Sequence, residues 1–167
     1  MSLALDHVAT SMFLRGLRVL DGLLDRALES GLDEAALMEA RLAPDMRPFP
    51  DQIRMAAFSA RSCVARLTDQ PWPKTDDAEA GLAELKATTA LSIAFIAAAE
   101  AAAFDGAETR RVELRFPGVE LNFEGQGYLT SFALPNFHFH LSMAYAILRH
   151  LGVPVGKRDY LGQLDLI

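Results

Sequence analysis

The sequence predicts an all-α protein, a four-helix bundle with a short extra helix and one small β-hairpin, at about residues 110–124, before the last helix. Three observations support this prediction. Of the 167 residues, 51% are hydrophobic, apolar residues recur at every third or fourth position in four long segments, and strand-like alternation occurs in one short region. Four long helices with short connections form a helical bundle. We expect a single domain over residues 1–167, because a chain of this length can bury about two-thirds of its unfolded surface.

The first long helix is predicted over residues 5–30. Its apolar residues recur with helical spacing, and Gly31 then supplies the residue that commonly follows a helix C-terminus. Asp33 is suited to cap a short extra helix, because its side chain can accept a hydrogen bond from a free backbone N–H. Pro44 ends that helix.

The second long helix is predicted to begin with Pro50, since proline is well tolerated in a first turn. We place Arg54, Arg61 and Arg66 on its solvated side. After a proline-rich break, a third helix is predicted over residues 76–103. The fourth is predicted over residues 127–150, and it ends at a glycine and a proline.

The hairpin prediction rests on two alternating segments joined by Pro117-Gly118. If these two residues form the turn, three apolar pairs share one face, Phe116 with Val119, Leu114 with Leu121, and Val112 with Phe123. Opposite charges then pair on the other face, Arg115 with Glu120 and Arg111 with Glu124. Pro-Gly favours a type II turn, which splays the strands, so a longer loop or a slipped register stays open.

Composition excludes several functional classes. The net charge is −6 and the pI about 5.2, with no basic cluster beyond Arg110 and Arg111, so we expect no nucleic-acid binding. The single cysteine, Cys63, excludes an internal disulfide and fits a reducing compartment. Because the first residues lack a basic segment followed by an apolar one, we expect a cytoplasmic protein.

A long uncharged segment runs from Gly125 to Leu148. Such a run is either a membrane span or a helix buried on most sides of a bundle. Asn136, His138 and His140 lie within it, and polar side chains are costly in a bilayer. We therefore predict a buried, partly polar helix and no membrane partner.

Asn136 and His140 are the main candidates for a functional site. Residues four apart share one helix face, and imidazole is a common ligand of zinc, nickel and iron. The alternative is a buried polar pair that is hydrogen-bonded to a neighbouring helix. His138 and Tyr145 belong to a second row of the same helix.

Asp45 lies in a loop with three prolines, which also carries Arg47 and precedes Gln52. Prolines stiffen a loop, so its side chains are presented with little entropic cost. The loop either forms the wall of a pocket or is an ion-paired connection between helices.

Three segments, residues 13–27, 40–57 and 127–162, resemble an uncharacterised bacterial family of unknown function. The resemblance is carried by FLRGLRVLDGLLDRA, ARLAPDMRPFPDQIRMAA and the segment that contains LPNFHFH and AYAILRHLGV. That family belongs to the DinB-like (YfiT-like) superfamily of helical bundles, so the resemblance implies a DinB-like four-helix bundle, often a homodimer.

In that superfamily three histidines hold a divalent metal, and some members are metal-dependent thiol transferases or hydrolases. The resemblance places two of the ligand positions at Asn136 and His140 and the third near residues 57–59, which include Phe58 and Ser59. His140 is the one histidine among them. A divalent metal (zinc, nickel, manganese or iron) is therefore not firmly predicted, His140 is its candidate ligand, and completion by His7 or Asp45 stays open.

Two functional hypotheses follow. The first is a degenerate relative of those enzymes with a small-molecule pocket between the helices, in which His140 exchanges protons, Asn136 positions the ligand, and Asp45 or Tyr145 assists. The second is a non-catalytic, dimeric binding or stress-related accessory protein. The first requires Asn136, His140 and Asp45 to open onto one cavity, and the second requires them to be hydrogen-bonded and closed off.

The prediction of a homodimer also has a basis in the residues themselves. The last helix carries more apolar surface than two neighbouring helices usually cover. The residues in excess are Phe132, Phe137, Phe139, Leu141 and Leu148.

Overall fold

The computed structural model describes residues 4–75, 78–164 and 166. Its helices are α1 (Leu5–Glu29), α2 (Glu34–Glu39), α3 (Phe49–Thr68), α4 (Leu82–Ala97), α5 (Gly125–Tyr128), α6 (Leu134–His150) and α7 (Lys157–Leu161), and its strands are β1 (Arg111–Phe116) and β2 (Val119–Glu124). Helix α1 packs against α4 and α6, and α3 packs against the same two helices from the other side. The four long helices thus enclose one apolar core, and the predicted bundle with a short extra helix and a hairpin is confirmed.

Helix α2 begins as its sequence predicts, because the Asp33 carboxylate accepts a hydrogen bond from the Ala36 N–H at 3.2 Å. Helix α4 is shorter than predicted. The proposed start at Asp76 lies outside the described residues, and the helix begins at Leu82. It ends at Ala97, and a 3-10 turn, Ala101–Phe104, follows.

The hairpin register is the predicted one. Phe116 pairs with Val119, Leu114 with Leu121 and Val112 with Phe123. Gly118 has φ of 77°, the left-handed conformation that the second central residue of a type II turn needs. The two-residue turn therefore closes the hairpin without a slipped register. Val112 and Leu114 are buried, so β1 packs its apolar face onto the bundle.

The last helix differs from the predicted uninterrupted α-helix. Between α5 and α6 the chain forms one π-helical turn, Leu129–Ala133, in which the Leu134 N–H bonds to the Leu129 carbonyl. Pro135 follows this turn, and it has no N–H with which to continue α-helical hydrogen bonding. A π turn inserts a residue into the helix and changes the direction of its side chains. Phe132 lies in this turn.

Arg61 was predicted on the solvated side of α3, and that prediction is wrong. Its side chain is buried and donates hydrogen bonds to the hydroxyls of Ser92, at 2.7 Å, and Thr75, at 3.1 Å. Arg54, predicted on the same side, is also largely covered, and its guanidinium forms ion pairs with Asp51 at 2.8 Å and Glu79 at 2.7 Å. Among the described residues, no helix has the length and apolarity needed to cross a membrane.

Candidate functional site

His140 is buried in the seam between α6 and α3, with 7% of its surface exposed. Its Nδ1 lies 2.7 Å from Gln52 Oε1, and Gln52 Nε2 donates to the Arg47 carbonyl at 3.0 Å. Because an amide oxygen only accepts, this arrangement places the imidazole proton on Nδ1. The two side chains thus form a short hydrogen-bonded chain from α6 to the loop before α3.

Asn136 makes the equivalent contact one turn earlier on α6. Its Nδ2 donates to Ser59 Oγ at 2.7 Å, and that hydroxyl donates to the Met55 carbonyl at 2.7 Å. The sequence placed Asn136 and His140 on one face, and both face α3. These contacts are the ones expected from the alternative interpretation, in which Asn136 and His140 are buried polar residues hydrogen-bonded to a neighbouring helix.

The proposed supporting residues lie elsewhere. The Tyr145 ring packs edge-on against Tyr160, with 5.7 Å between centroids. Asp45 is exposed and forms no ion pair with any residue that the structure describes. His7 is exposed on α1. None of the three therefore completes a site around His140.

Burial lowers the pKa of His140, and the positive charge of Arg47 lowers it further. Burial likewise lowers the pKa of His138, with a smaller contribution from Arg15. Both imidazoles are therefore neutral at pH 7. A neutral imidazole can serve as a ligand or a base, but the Nδ1 of His140 is already occupied by Gln52.

Acidification below about pH 6.5, the ordinary histidine pKa, is expected to destabilise the protein. Since the folded-state pKa of His140 is lowered, the unfolded chain binds more protons in the window between the two values, and stability falls as the pH falls through it. Urea unfolding between pH 7.5 and 5.5 measures the slope. His140→Phe should flatten it relative to the parent protein, with His7→Gln, which removes an exposed histidine of α1, as the comparison. An unchanged slope in His140→Phe would contradict the prediction.

The residues around His140 do not suit the divalent metal that the resemblance implies. A tight zinc site needs three or four histidine, cysteine or carboxylate donors. Within residues 4–75, 78–164 and 166, no three such side chains are grouped to hold a metal ion. At the other implied positions stand the amide of Asn136, the hydroxyl of Ser59 and the hydrocarbon ring of Phe58. This donor set is too poor for a catalytic metal.

A cleft of about 410 Å³ opens between α3, β1 and the π turn. We call it the hairpin cleft. Its residues include Met55, Phe58, Ser59, Phe116, Phe132 and Asn136. The three phenylalanine rings come from three different elements, and Asn136 contributes an amide. His140 and Asp45 do not line it, so the three residues proposed for a common cavity are not brought together.

Further along α3 from Ser59, the hairpin cleft is lined by the polar side chains of Ser62 and Arg66, with Tyr128 beside them. Burial raises the pKa of Tyr128 to about 12, and nearby Ser62 and Arg66 partly oppose that rise through hydrogen bonding. The phenol is therefore protonated at neutral pH. Arg66 also lies over the Trp72 ring, 4.9 Å from its centroid.

These residues were missed in the sequence, although a signal for them exists. Ser59, Ser62 and Arg66 are three and four residues apart, which places them on one face of α3. The prediction that Arg66 is merely solvated overlooked this spacing. No pattern in the neighbouring sequence could predict that β1 and Tyr128 line the cleft, because that depends on how the hairpin folds over the bundle.

Comparison with known proteins agrees with the fold and the residues described above. Residues 5–161 match the model of a domain of unknown function, DUF1993. The crystal structure of a DinB family member protein from Shewanella denitrificans is 34% identical, with a TM-score of 0.88 over 98% of this chain and 94% of that one. None of the curated proteins compared with the chain matches it. The chain therefore belongs to the DUF1993 family, an uncharacterised family of DinB-like helical bundles.

Proposed function

We propose that this protein binds a small organic molecule in the hairpin cleft and that it does so without a metal ion. The observation that carries the proposal is the cleft itself, a concavity of about 410 Å³ with three phenylalanine rings, a tyrosine and a few further polar groups. Ligand sites in proteins are typically concave and mostly apolar, with a small number of polar groups that fix orientation.

Asn136 is suited to orient such a ligand. Its amide nitrogen donates to Ser59 Oγ at 2.7 Å. This bond fixes the orientation of the side chain and therefore of its amide oxygen. A side chain that is already held in place loses little entropy on binding. The role differs from that of the metal ligand at this position in the superfamily.

The chain is thus proposed to be a relative of metal-dependent thiol transferases and hydrolases that has kept the bundle and an interhelical site without the three-histidine centre. His140 is assigned no catalytic role in this proposal, because it is buried against Gln52 outside the cleft. Buried Cys63 accords with a cytoplasmic location, which stays part of the proposal.

The alternative, a dimeric accessory protein, has less support once the burial of the apolar residues of the last helix is considered. Of the apolar residues thought to be in excess, Phe137, Leu141 and Leu148 are buried within the bundle. Phe132 is partly buried against Phe116 of the hairpin and Tyr128 of α5. Phe139 remains 51% exposed, so the homodimer stays a prediction with a small apolar surface to support it.

A fragment screen by protein-observed NMR tests the proposal. We expect saturable chemical-shift changes at Phe58, Phe132 and Asn136 in protein from which metal ions have been removed with a chelator. These changes should be the same when zinc is added. Phe58→Ala should weaken binding by roughly 5- to 10-fold, because it removes part of an apolar wall. Phe139→Ala, a matched change on an exposed ring outside the cleft, should not.

Three outcomes would contradict the proposal. Fragments that bind only with zinc would restore a metal-dependent site. Fragments that shift residues outside the hairpin cleft would move the site elsewhere. An absence of saturable binding across the library would leave the cleft without a ligand and refute the binding function.

A further inference from the structure

Arg66 provides a positive charge that no described carboxylate neutralises at ion-pair distance. No carboxylate lies within ion-pair distance of it among the residues that the structure describes. Its Nη1 donates to the Ser62 carbonyl at 3.2 Å, and its guanidinium stacks on Trp72. These contacts hold the side chain in place. A guanidinium has five N–H donors, so several remain for a ligand.

The other charged groups of the hairpin cleft are compensated. Arg115 lies 3.1 Å from Glu113, and Arg111 lies 2.9 Å from the same carboxylate. Arg115 also approaches Glu120 at 4.0 Å. Glu113 is therefore shared by two hairpin arginines and is not available to Arg66. The cleft, lined by two arginines and one glutamate, has a surplus of positive charge in a chain whose net charge is −6.

Two hydroxyl groups lie beside this charge, those of Tyr128 and of Ser62, and the Ser62 hydroxyl also reaches the Ser59 carbonyl at 3.5 Å. The Tyr128 phenol lies next to Ser62 and Arg66, and its side chain is almost wholly buried at the inner wall. A guanidinium matches the two oxygens of a carboxylate, and hydrogen bonds between charged partners are stronger than neutral ones. The donors at this end therefore suit an anionic oxygen group better than a neutral or cationic one.

The apolar part of the cleft determines the remainder of the ligand. Phe58, Phe116 and Phe132 present rings on its walls, and Met55 adds a flexible apolar side chain. Phe116 and Phe132 lie 6.5 Å apart between centroids, tilted by 36°. Such walls favour a flat or branched hydrocarbon body, which gains free energy from leaving water.

Building on the binding function proposed above, we infer that the hairpin cleft takes a small monocarboxylate with an apolar body. Arg66 binds the carboxylate, with Ser62 and Tyr128 beside it. The hydrocarbon part lies against the three phenylalanine rings.

Calorimetric titration with three probes of similar size tests this inference. The probes are 3-phenylpropionate, its neutral amide 3-phenylpropionamide, and the cationic 3-phenylpropylamine. The carboxylate is expected to bind roughly 10- to 150-fold more tightly than the amide, the range given by a charge-assisted hydrogen bond. The amine is expected to bind most weakly.

Arg66→Gln should remove this preference. It should reduce the affinity for 3-phenylpropionate to about that of the amide and leave amide binding little changed. Arg66→Lys should retain part of the preference, since it keeps the charge but not the planar pair of donors. Arg18→Gln, which removes an exposed arginine on α1, is the control and should change nothing. Thermal unfolding of each variant verifies that it is folded.

The outcomes separate the inference from the proposed function. Equal affinity for the carboxylate and the amide, with Arg66→Gln affecting both alike, would refute carboxylate recognition while small-molecule binding stands. The same holds if neutral fragments bind in the cleft and 3-phenylpropionate does not. If neither the three probes nor any fragment binds, the proposed function itself has failed.

Discussion

Replacing Phe137 with alanine is expected to lower the free energy of unfolding by about 3–5 kcal/mol, the usual cost of truncating a fully buried phenylalanine. The Phe137 ring is completely buried. It packs edge-on against Phe13 of α1, with 5.2 Å between centroids. At 2–4 °C per kcal/mol for a chain of this size, the midpoint of thermal unfolding should fall by roughly 6–20 °C.

Gly16 explains why the loss should lie at the upper end of that range. A Cβ at Gly16 would overlap the Phe137 ring, so the ring of α6 occupies the space left by a missing side chain on α1. Neighbours that already lack side chains cannot easily move in to fill a cavity, and a cavity that does not collapse costs most.

Phe139→Ala is the matched control, because it makes the same change two residues along the same helix. Phe139 is half exposed, and exposed substitutions usually change stability by no more than about 0.5 kcal/mol. Urea unfolding followed by circular dichroism measures both variants. Equal losses for the two would mean that α6 does not pack on α1 through Phe137.

The hairpin shows what could be predicted from the sequence. Its register follows from apolar residues at alternate positions and a two-residue turn, so every determinant lies within fourteen residues, from Arg111 to Glu124. The long helices are predictable for the same reason, since their apolar period is local. Family resemblance then added the arrangement of the helices.

The candidate site was harder to predict, because its contacts join residues that are distant in the chain. His140 bonds to Gln52 and Asn136 to Ser59, and the spacing of residues on α6 cannot reveal a partner on α3. Arg61 misled the prediction in another way. A guanidinium on a helix is usually solvated, and only the packing of α3 against α4 shows that Ser92 receives it in the interior.

The π turn was also beyond the sequence pattern. Pro135 lies near the start of α6. A proline in a helix can end it, kink it or be accommodated by a local change of winding. The structure shows the third outcome. Without that turn, Phe132 would point in another direction, and the hairpin cleft would lose one of its three phenylalanine rings.

The second large effect concerns the His140–Gln52 pair, which a double-mutant cycle can assign to stability or to function. Gln52→Met should cost about 1–3 kcal/mol, because it leaves a buried imidazole N–H without its acceptor. His140→Phe should cost a similar amount, since it leaves the Gln52 amide oxygen unpaired in a buried position.

The double variant is the informative one. Replacing both members of a buried hydrogen bond with apolar groups of similar shape is often nearly neutral. The double variant should therefore lose less stability than the two single losses added together, even though the Arg47 carbonyl still loses its Gln52 donor. The coupling free energy from urea unfolding should then be about 1–3 kcal/mol, within the range of roughly 0.5–3 kcal/mol found for residues in direct contact. Additive losses would show that the two side chains do not act as a pair.

Ligand binding by the same double variant decides what the pair is for. If His140 and Gln52 only join α6 to α3, the double variant should bind fragments in the hairpin cleft as the parent protein does, because neither residue lines it. A stable double variant that has lost binding would show that the imidazole acts on the ligand after all. The superfamily's histidine would then have kept a functional role in a chain that lacks the other two.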